Sequence, residues 1–267
     1  MVFHLVHTQR LYESVARQIA DQIHAGVFKA GDRLPTEREL AAVLGVSRPT
    51  VREAMIALEL SGLVQVRTGA GVFVKANKSA AAAAKSIQNV GASPLELTDA
   101  RLIIEPEIAF EASSVAEPES LELLHETLVQ LAAAKDTTEL LNADMLFHIR
   151  LSRLVKIPIL TAVVEALWKE MYSPMFIRMG HLSGLFPDRT KRTIDEHQRI
   201  FDAIAAGRPE QAKAAMKHHL TISKSLLLGE ARQAVRPEKS EKERSERRSV
   251  RVRSAGRETR RDRPSHQ

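Results

Sequence analysis

The chain has 267 residues, a formal net charge of +6 and no cysteine. That length exceeds one ordinary domain, and the missing thiols exclude a disulfide framework, thiolate metal ligands and cysteine nucleophiles. Aromatic residues make up 4% of the sequence, too few for stacking on single-stranded bases, and no apolar run approaches the length of a membrane span. The opening MVFHLVHTQR is too short for a signal peptide, so a cytoplasmic location is expected.

The charge is unevenly spread. Residues 1–78 carry 10 Lys/Arg against 7 Asp/Glu, residues 79–230 carry 16 against 20, and residues 231–267 carry 13 against 6. Basic character therefore sits at the two ends. A modestly positive N-terminal part suits phosphate contacts, and the acidic middle should avoid a polyanion.

In chain order, Val15, Ile19 and Ile23 form the apolar stripe of a first helix, which ends before Gly26 and the Gly31-Asp32 turn. Thr36 followed by Glu39 has the spacing of a capping box, and Leu40, Ala41 and Leu44 share one face of the short helix it opens. Gly45 supplies a tight turn, and Ser47 caps the next helix, with Pro49 in its first turn. There Val51, Ala54, Met55 and Leu58 make the core stripe, leaving Arg48, Thr50 and Arg52 off it near the N-terminal end. Gly62 stops this helix. Two short strands, Leu63 to Val66 and Val72 to Val74, then flank the glycine-rich tip Arg67-Thr68-Gly69-Ala70-Gly71. Capping box, turn, polar helix start and hairpin in this order read as a winged helix-turn-helix for duplex DNA. The competing reading is a solvated basic face on a small helical domain.

The segment resembles the N-terminal domain of the GntR family of bacterial transcription regulators at LPTERELA, LGVSRPTVREA, SGLV and RTGAGVFV. The resemblance implies that Arg38, Ser47, Arg48, Thr50 and Arg52 contact the major groove and its backbone, with Gly69 approaching the minor groove. It also implies a bacterial, nucleoid-associated protein. One recognition helix reads too few base pairs to be specific alone, so a homodimer on a palindromic operator is expected.

Residues 8–75 are thus assigned to the DNA-binding domain and 76–93 to a linker, in which Gly91, Ser93 and Pro94 interrupt an alanine-rich run. Residues 94–230 show successive helical patterns and no strand, so an all-α antiparallel bundle is expected, and the fold as a whole is mainly α. Residues 231–267, rich in Arg, Glu and Ser, should be a disordered basic tail, serving as a nonspecific DNA-binding arm or as a passive extension.

Within the bundle, Asp144 and His148 stand one turn apart on one helix face among Leu141, Met145 and Ile149. His197 lies on a later helix, and His219 on the last, 22 residues on. An aspartate and three histidines converging in a bundle would make a nitrogen/oxygen site for a divalent ion. On spacing alone two bland readings stay open: hydrogen-bonded core histidines, and Asp144 paired with Arg150 or Arg153. DMLFHIRLSRL, EHQRIFDAI and AAMKHHL resemble the metal-bearing segments of the FCD domain of the FadR-like subfamily. The match implies Asp144, His148, His197 and His219 as ligands, with zinc, nickel or manganese as the ion. DARLIIEPEIA resembles the start of that domain and places Arg101 at a position facing the effector cavity. One departure is Ile157 before Pro158, where the family carries Asn, which puts that turn in doubt. The resemblance implies a repressor released by a small carboxylate: a hydroxy acid, sugar acid or dicarboxylate. A purely structural metal with another effector is the alternative. A fused metalloenzyme would need a base beside the metal, and neither an HExxH element nor a second carboxylate is apparent.

Overall fold

The computed structural model describes residues 10–67, 69–75, 87, 90–185 and 190–229. The basic tail, residues 231–267, and most of the connector lie outside the described residues.

The N-terminal elements follow from local sequence. Helix α1 (Leu11–His24) buries Tyr12, Val15, Ala16 and Ile19. Helix α2 (Glu37–Leu44) opens on the capping box: Thr36 Oγ1 accepts from the Glu39 amide at 3.3 Å, and the Thr36 amide donates to Glu39 Oε2 at 2.8 Å. Such a cap stabilises a helix start by about 1 kcal/mol. Gly45 ends α2 at φ 67, a left-handed conformation that glycine adopts without a side-chain penalty. Helix α3 (Arg48–Leu60) begins at Ser47, whose Oγ accepts from the Thr50 amide at 3.2 Å. Strands β1 (Val64–Arg67) and β2 (Gly71–Val74) pair antiparallel, with Val64 opposite Val74 and Arg67 opposite Gly71. The segment before α2 joins the wing, since Leu34 donates to Val72 O and Val74 to Asp32 O, both at 2.9 Å.

The bundle comprises α4 (Pro94–Val115), α5 (Pro118–Ala133), α6 (Thr137–Leu154), α7 (Pro158–Glu170), α8 (Pro174–Ser183), α9 (Thr190–Ala205) and α10 (Pro209–Leu227). Helix α4 packs most extensively on α10 and also meets α6, α7, α8 and α9. It is therefore buried on several faces: Leu97, Arg101, Glu105, Ile108, Ala109 and Ala112 all lie inside. Pro106 sits within α4 without ending it, although it removes the amide that Leu102 O would otherwise accept. Between α6 and α7 the residue before Pro158 must be extended, and Ile157 is, at φ −113. The chain reversal is made one residue earlier by Lys156 at φ 56, at a cost of about 1–2 kcal/mol for a non-glycine residue.

Helix α3 packs on α1, α2, β1 and α8. Glu59 receives Arg178 of α8 through two hydrogen bonds of 2.7 and 3.1 Å. The described end of the connector is packed: Val90 and Ala92 are buried, and Met175 donates to Val90 O at 2.9 Å. Gly91, at φ 109, passes so close to Ser173 that a Cβ there would lie 2.2 Å from the serine Cβ. Its carbonyl accepts from Tyr12 Oη at 2.7 Å and Arg10 Nη1 at 3.0 Å.

Next to this seam Ser93 Oγ, while capping α4, donates to Glu53 of α3 at 2.6 Å. Burial pushes the Glu53 carboxyl up to about 7, opposed by the Ser93 hydroxyl and the Leu95 amide. A carboxyl whose folded value is raised contributes stability that is complete at acidic pH, below its unfolded value of 4.5, and lost as pH rises through about 7. The span corresponds to roughly 3–4 kcal/mol. Denaturant unfolding at pH 5.5 and pH 8 should therefore show the wild type losing more stability with rising pH than Glu53→Gln. Parallel pH profiles for the two proteins would contradict this.

Candidate metal centre and DNA-facing helix

Four side chains from three helices meet inside the bundle. Asp144 and His148 come from α6, His197 from α9 and His219 from α10, and one potential ligand atom from each lies within 4.8 Å of the others. The bundle buries His148, His197 and His219, whereas the Asp144 side chain keeps 18% exposure, toward a cleft. Asp144 Oδ1 lies 2.8 Å from His197 Nε2 and 3.4 Å from His148 Nε2. Asp144 Oδ1 and His197 Nε2 are nevertheless buried without an aligned hydrogen-bond partner. Orphaned buried polar atoms are rare. Here they converge as three imidazoles and a carboxylate, the donor set that borderline first-row ions prefer. The residues present fit a divalent ion.

The outer ring nitrogens point away from this centre and have their own neighbours. His197 Nδ1 faces the Thr193 carbonyl at 2.8 Å, and a carbonyl can only accept, so Nδ1 carries the proton. His219 Nδ1 faces Glu196 Oε2 at 3.0 Å. His148 Nδ1 makes a close ion-pair contact with Glu105 Oε2, without the alignment of a hydrogen bond. Arg101 donates from Nε to Glu105 Oε1 at 2.7 Å, reaches His148 Nε2 at 3.2 Å through Nη2, and lays its guanidinium 4.5 Å from the Trp168 ring. That indole also packs on His148, with centroids 5.2 Å apart.

The electrostatics follow from this crowding. Burial pushes the Asp144 carboxyl up, but His197 and His148 more than reverse it and hold it well below the usual carboxylate range. Burial likewise opposes ionisation of Glu105, yet Arg101 and His148 bring it down to about 2. Burial, reinforced by His197, pushes His219 down to about 4, which keeps its imidazole neutral and its lone pair available at neutral pH. Burial alone would lower His148, but the Glu105 carboxylate raises it.

Asp144 pairs with neither Arg150 nor Arg153. Arg150 pairs with Glu126 and Arg153 with Glu165, each at 3.0 Å, and Asp144 turns inward to the histidines. His218 is exposed, so His219 is the histidine of that pair that enters the cluster. Two carboxylates escaped the sequence reading. Glu105 and Glu196 each stand four residues after an arginine, Arg101 and Arg192, and that spacing is the signal that could have found them. The cleft beside the cluster is lined by Arg101, Arg192, Thr98, Thr193 and Ser223 among others.

At the other end of the chain, Arg38, Ser47, Arg48 and Gly69 are exposed and Thr50 is half-buried. Ser47 is engaged in capping and also meets Thr50 Oγ1 at 2.8 Å. Arg52 is differently placed. It donates from Nε and Nη2 to Glu37 at 3.0 and 2.8 Å, and from Nη1 to the Leu228 carbonyl, just past α10, at 3.0 Å. Thr68 lies outside the described residues. Among the described residues no helix is long and apolar enough to cross a membrane.

Residues 11–74 match the family described as bacterial regulatory proteins, gntR family, and residues 96–221 match the FCD domain. The Exu regulon transcriptional regulator of Escherichia coli K12 is 32% identical over 231 residues, covering 85% of this chain and 88% of that protein. The Uxu operon transcriptional regulator of the same organism is 34% identical over 229 residues, covering 82% and 88%. LutR of Bacillus subtilis, an HTH-type transcriptional regulator, is 30% identical over 213 residues, covering 78% and 96%. A winged helix-turn-helix joined to this helical domain, with relatives that are transcription regulators and not enzymes, places the chain in the GntR family of bacterial transcription regulators, in its FadR-like branch with an FCD effector domain.

Proposed function

We propose that this regulator binds a palindromic operator as a homodimer, acts as a repressor, and releases DNA when a small carboxylate metabolite occupies the cleft beside a divalent-metal site. The observation that carries the reading is the convergence of Asp144, His148, His197 and His219 beside a cleft that also holds Arg101 and Arg192. A divalent ion held there, zinc or alternatively nickel or manganese, would supply a Lewis-acidic position for an anionic oxygen. Arg101 and Arg192 supply guanidinium donors suited to a carboxylate, and Thr98 and Ser223 supply hydroxyl oxygens. Hydroxy acids, sugar acids and dicarboxylates all carry such groups. Deep burial of the three histidines also supports a second reading, in which the ion only ties α6, α9 and α10 together and the effector binds without it.

Coupling to DNA has a short route. Helix α10 carries His219 and lines the cleft through Leu226 and Leu227, and the Leu228 carbonyl that follows accepts from Arg52 of the recognition helix. A ligand that favours another position of α10 therefore changes how firmly Arg52 is held, and it shifts the equilibrium only by its differential affinity for the two states. Two classes of variant test the proposal. Arg48→Ala removes an exposed side chain expected to read bases and should weaken operator binding by about 1–3 kcal/mol. Arg52→Ala removes a DNA contact and the tie to α10 together, so it should weaken binding and also blunt the effector response. Unchanged operator affinity in both would remove these residues from the interface.

The second class separates metal, effector and DNA. His148→Ala and His197→Ala should lose metal and effector response yet still bind the operator, where the wild type is expected to change affinity by about 5- to 150-fold on adding effector. Metal content, operator binding with and without a panel of small carboxylates, and the emission of Trp168, the single tryptophan of the chain, would be measured together. A full effector response in metal-free wild type would overturn the metal-dependent mechanism and leave the structural-metal reading.

A further inference from the structure

We propose that Glu196 and Glu105 are positioning residues of the histidine cluster. Each links an arginine at the cleft to the outer nitrogen of a histidine on another helix, and so sets which ring nitrogen faces the centre. The proposal rests on the metal reading of Asp144, His148, His197 and His219.

The two glutamates form a repeated arrangement. On α9, Arg192 donates from Nε to Glu196 Oε1 at 2.8 Å, and Glu196 Oε2 faces Nδ1 of His219 on α10 at 3.0 Å. On α4, Arg101 donates to Glu105 Oε1, and Glu105 Oε2 meets Nδ1 of His148 on α6. Both arginines line the cleft and both glutamates are buried, at 6% and 2% exposure. Neither glutamate belongs to the set of converging ligand atoms.

The chemistry favours an orienting role. A neutral imidazole has one N–H and one lone pair, and only the lone pair can hold a cation. Each carboxylate already takes an arginine N–H on one oxygen, which leaves its other oxygen to accept from a ring N–H. A carboxylate at Nδ1 therefore keeps the proton there and leaves the Nε2 lone pair for the cluster, with the ring plane fixed. His197 achieves the same through the Thr193 carbonyl. Glu196 thereby joins Arg192 to His219, and Glu105 joins Arg101 to His148, which Arg101 Nη2 also meets directly, so cleft and centre are tied mechanically. A carboxylate placed merely to neutralise an arginine would not need its second oxygen on Nδ1 of another helix.

The test uses full-length protein with 15N-labelled histidine, together with zinc affinity by chelator competition and thermal melting. In metal-free wild type, long-range 1H–15N spectra should show His219 and His197 as Nδ1–H tautomers. Glu196→Leu should shift His219 toward the Nε2–H tautomer and weaken zinc binding 10- to 100-fold, as loss of such an outer partner typically does. Glu196→Gln keeps an accepting oxygen, so it should retain the Nδ1–H tautomer and lose less than tenfold in affinity. At His148, Glu105→Leu should weaken zinc binding as Glu196→Leu does, and Glu105→Gln should lose less, as Glu196→Gln does. Glu196→Leu with wild-type tautomer and wild-type affinity would overturn the proposal, as would an Nε2–H tautomer for His219 in the wild type. If Glu196→Leu does not fold, an altered His219 tautomer in Glu196→Gln would overturn it instead. Wild type that binds no zinc, nickel or manganese would refute the metal reading, while the tautomer measurements would still judge the glutamates.

Discussion

An imidazole buried in a helical bundle has two nitrogens to satisfy, and much of this molecule is arranged around doing so three times within a few ångströms. Leaving any of those atoms without a partner costs on the order of 1–3 kcal/mol. The outer nitrogens are met by Glu105, Thr193 O and Glu196, while the inner ones are turned on Asp144 and on one another. That demand explains why α4 and α9 carry buried glutamates among apolar residues, and why Arg101 is inside at all. A lone buried carboxylate is expensive, and a paired one is tolerable only when its remaining lone pairs are used. The Arg101–Glu105–His148 chain, backed by the Trp168 indole, meets that condition with two residues from α4, one from α6 and a ring from α7.

The cluster also sets what can move together. Helices α6, α9 and α10 share the centre, α4 and α9 supply its outer carboxylates, and α10 leads directly to the carbonyl that holds Arg52. Elsewhere along α3, Glu59 is held by Arg178 and Glu53 by Ser93. The recognition helix is thus built partly into the effector bundle instead of being carried at the end of a free connector. Gly91 makes the seam possible: a side chain there would collide with Ser173, and its carbonyl anchors Tyr12 and Arg10 of the N-terminal domain. Coupling between cleft and DNA then needs no long relay, because the two share helices and a handful of hydrogen bonds.

Much of this was legible in the residues themselves. The capping box at Thr36 and Glu39, the left-handed turn at Gly45, the Ser47 cap, the Val51/Ala54/Met55/Leu58 stripe and the hairpin are local devices, and each sits where its spacing puts it. Helix boundaries in the bundle follow the prolines at 94, 118, 158, 174 and 209, for the same local reason. Asp144 and His148 could be placed on one face because helical periodicity is intrinsic to the backbone. Three matters depended on tertiary packing. That His197 and His219 reach the same point as Asp144 is a matter of interhelical geometry, which no single helix encodes. Glu105 and Glu196 look like ordinary i, i+4 partners of arginines until a histidine from another helix takes the second oxygen. Arg52 reads as a DNA contact from its position on α3, but only the fold brings the end of α10 within reach of its guanidinium, because that contact joins residues 176 apart in the chain.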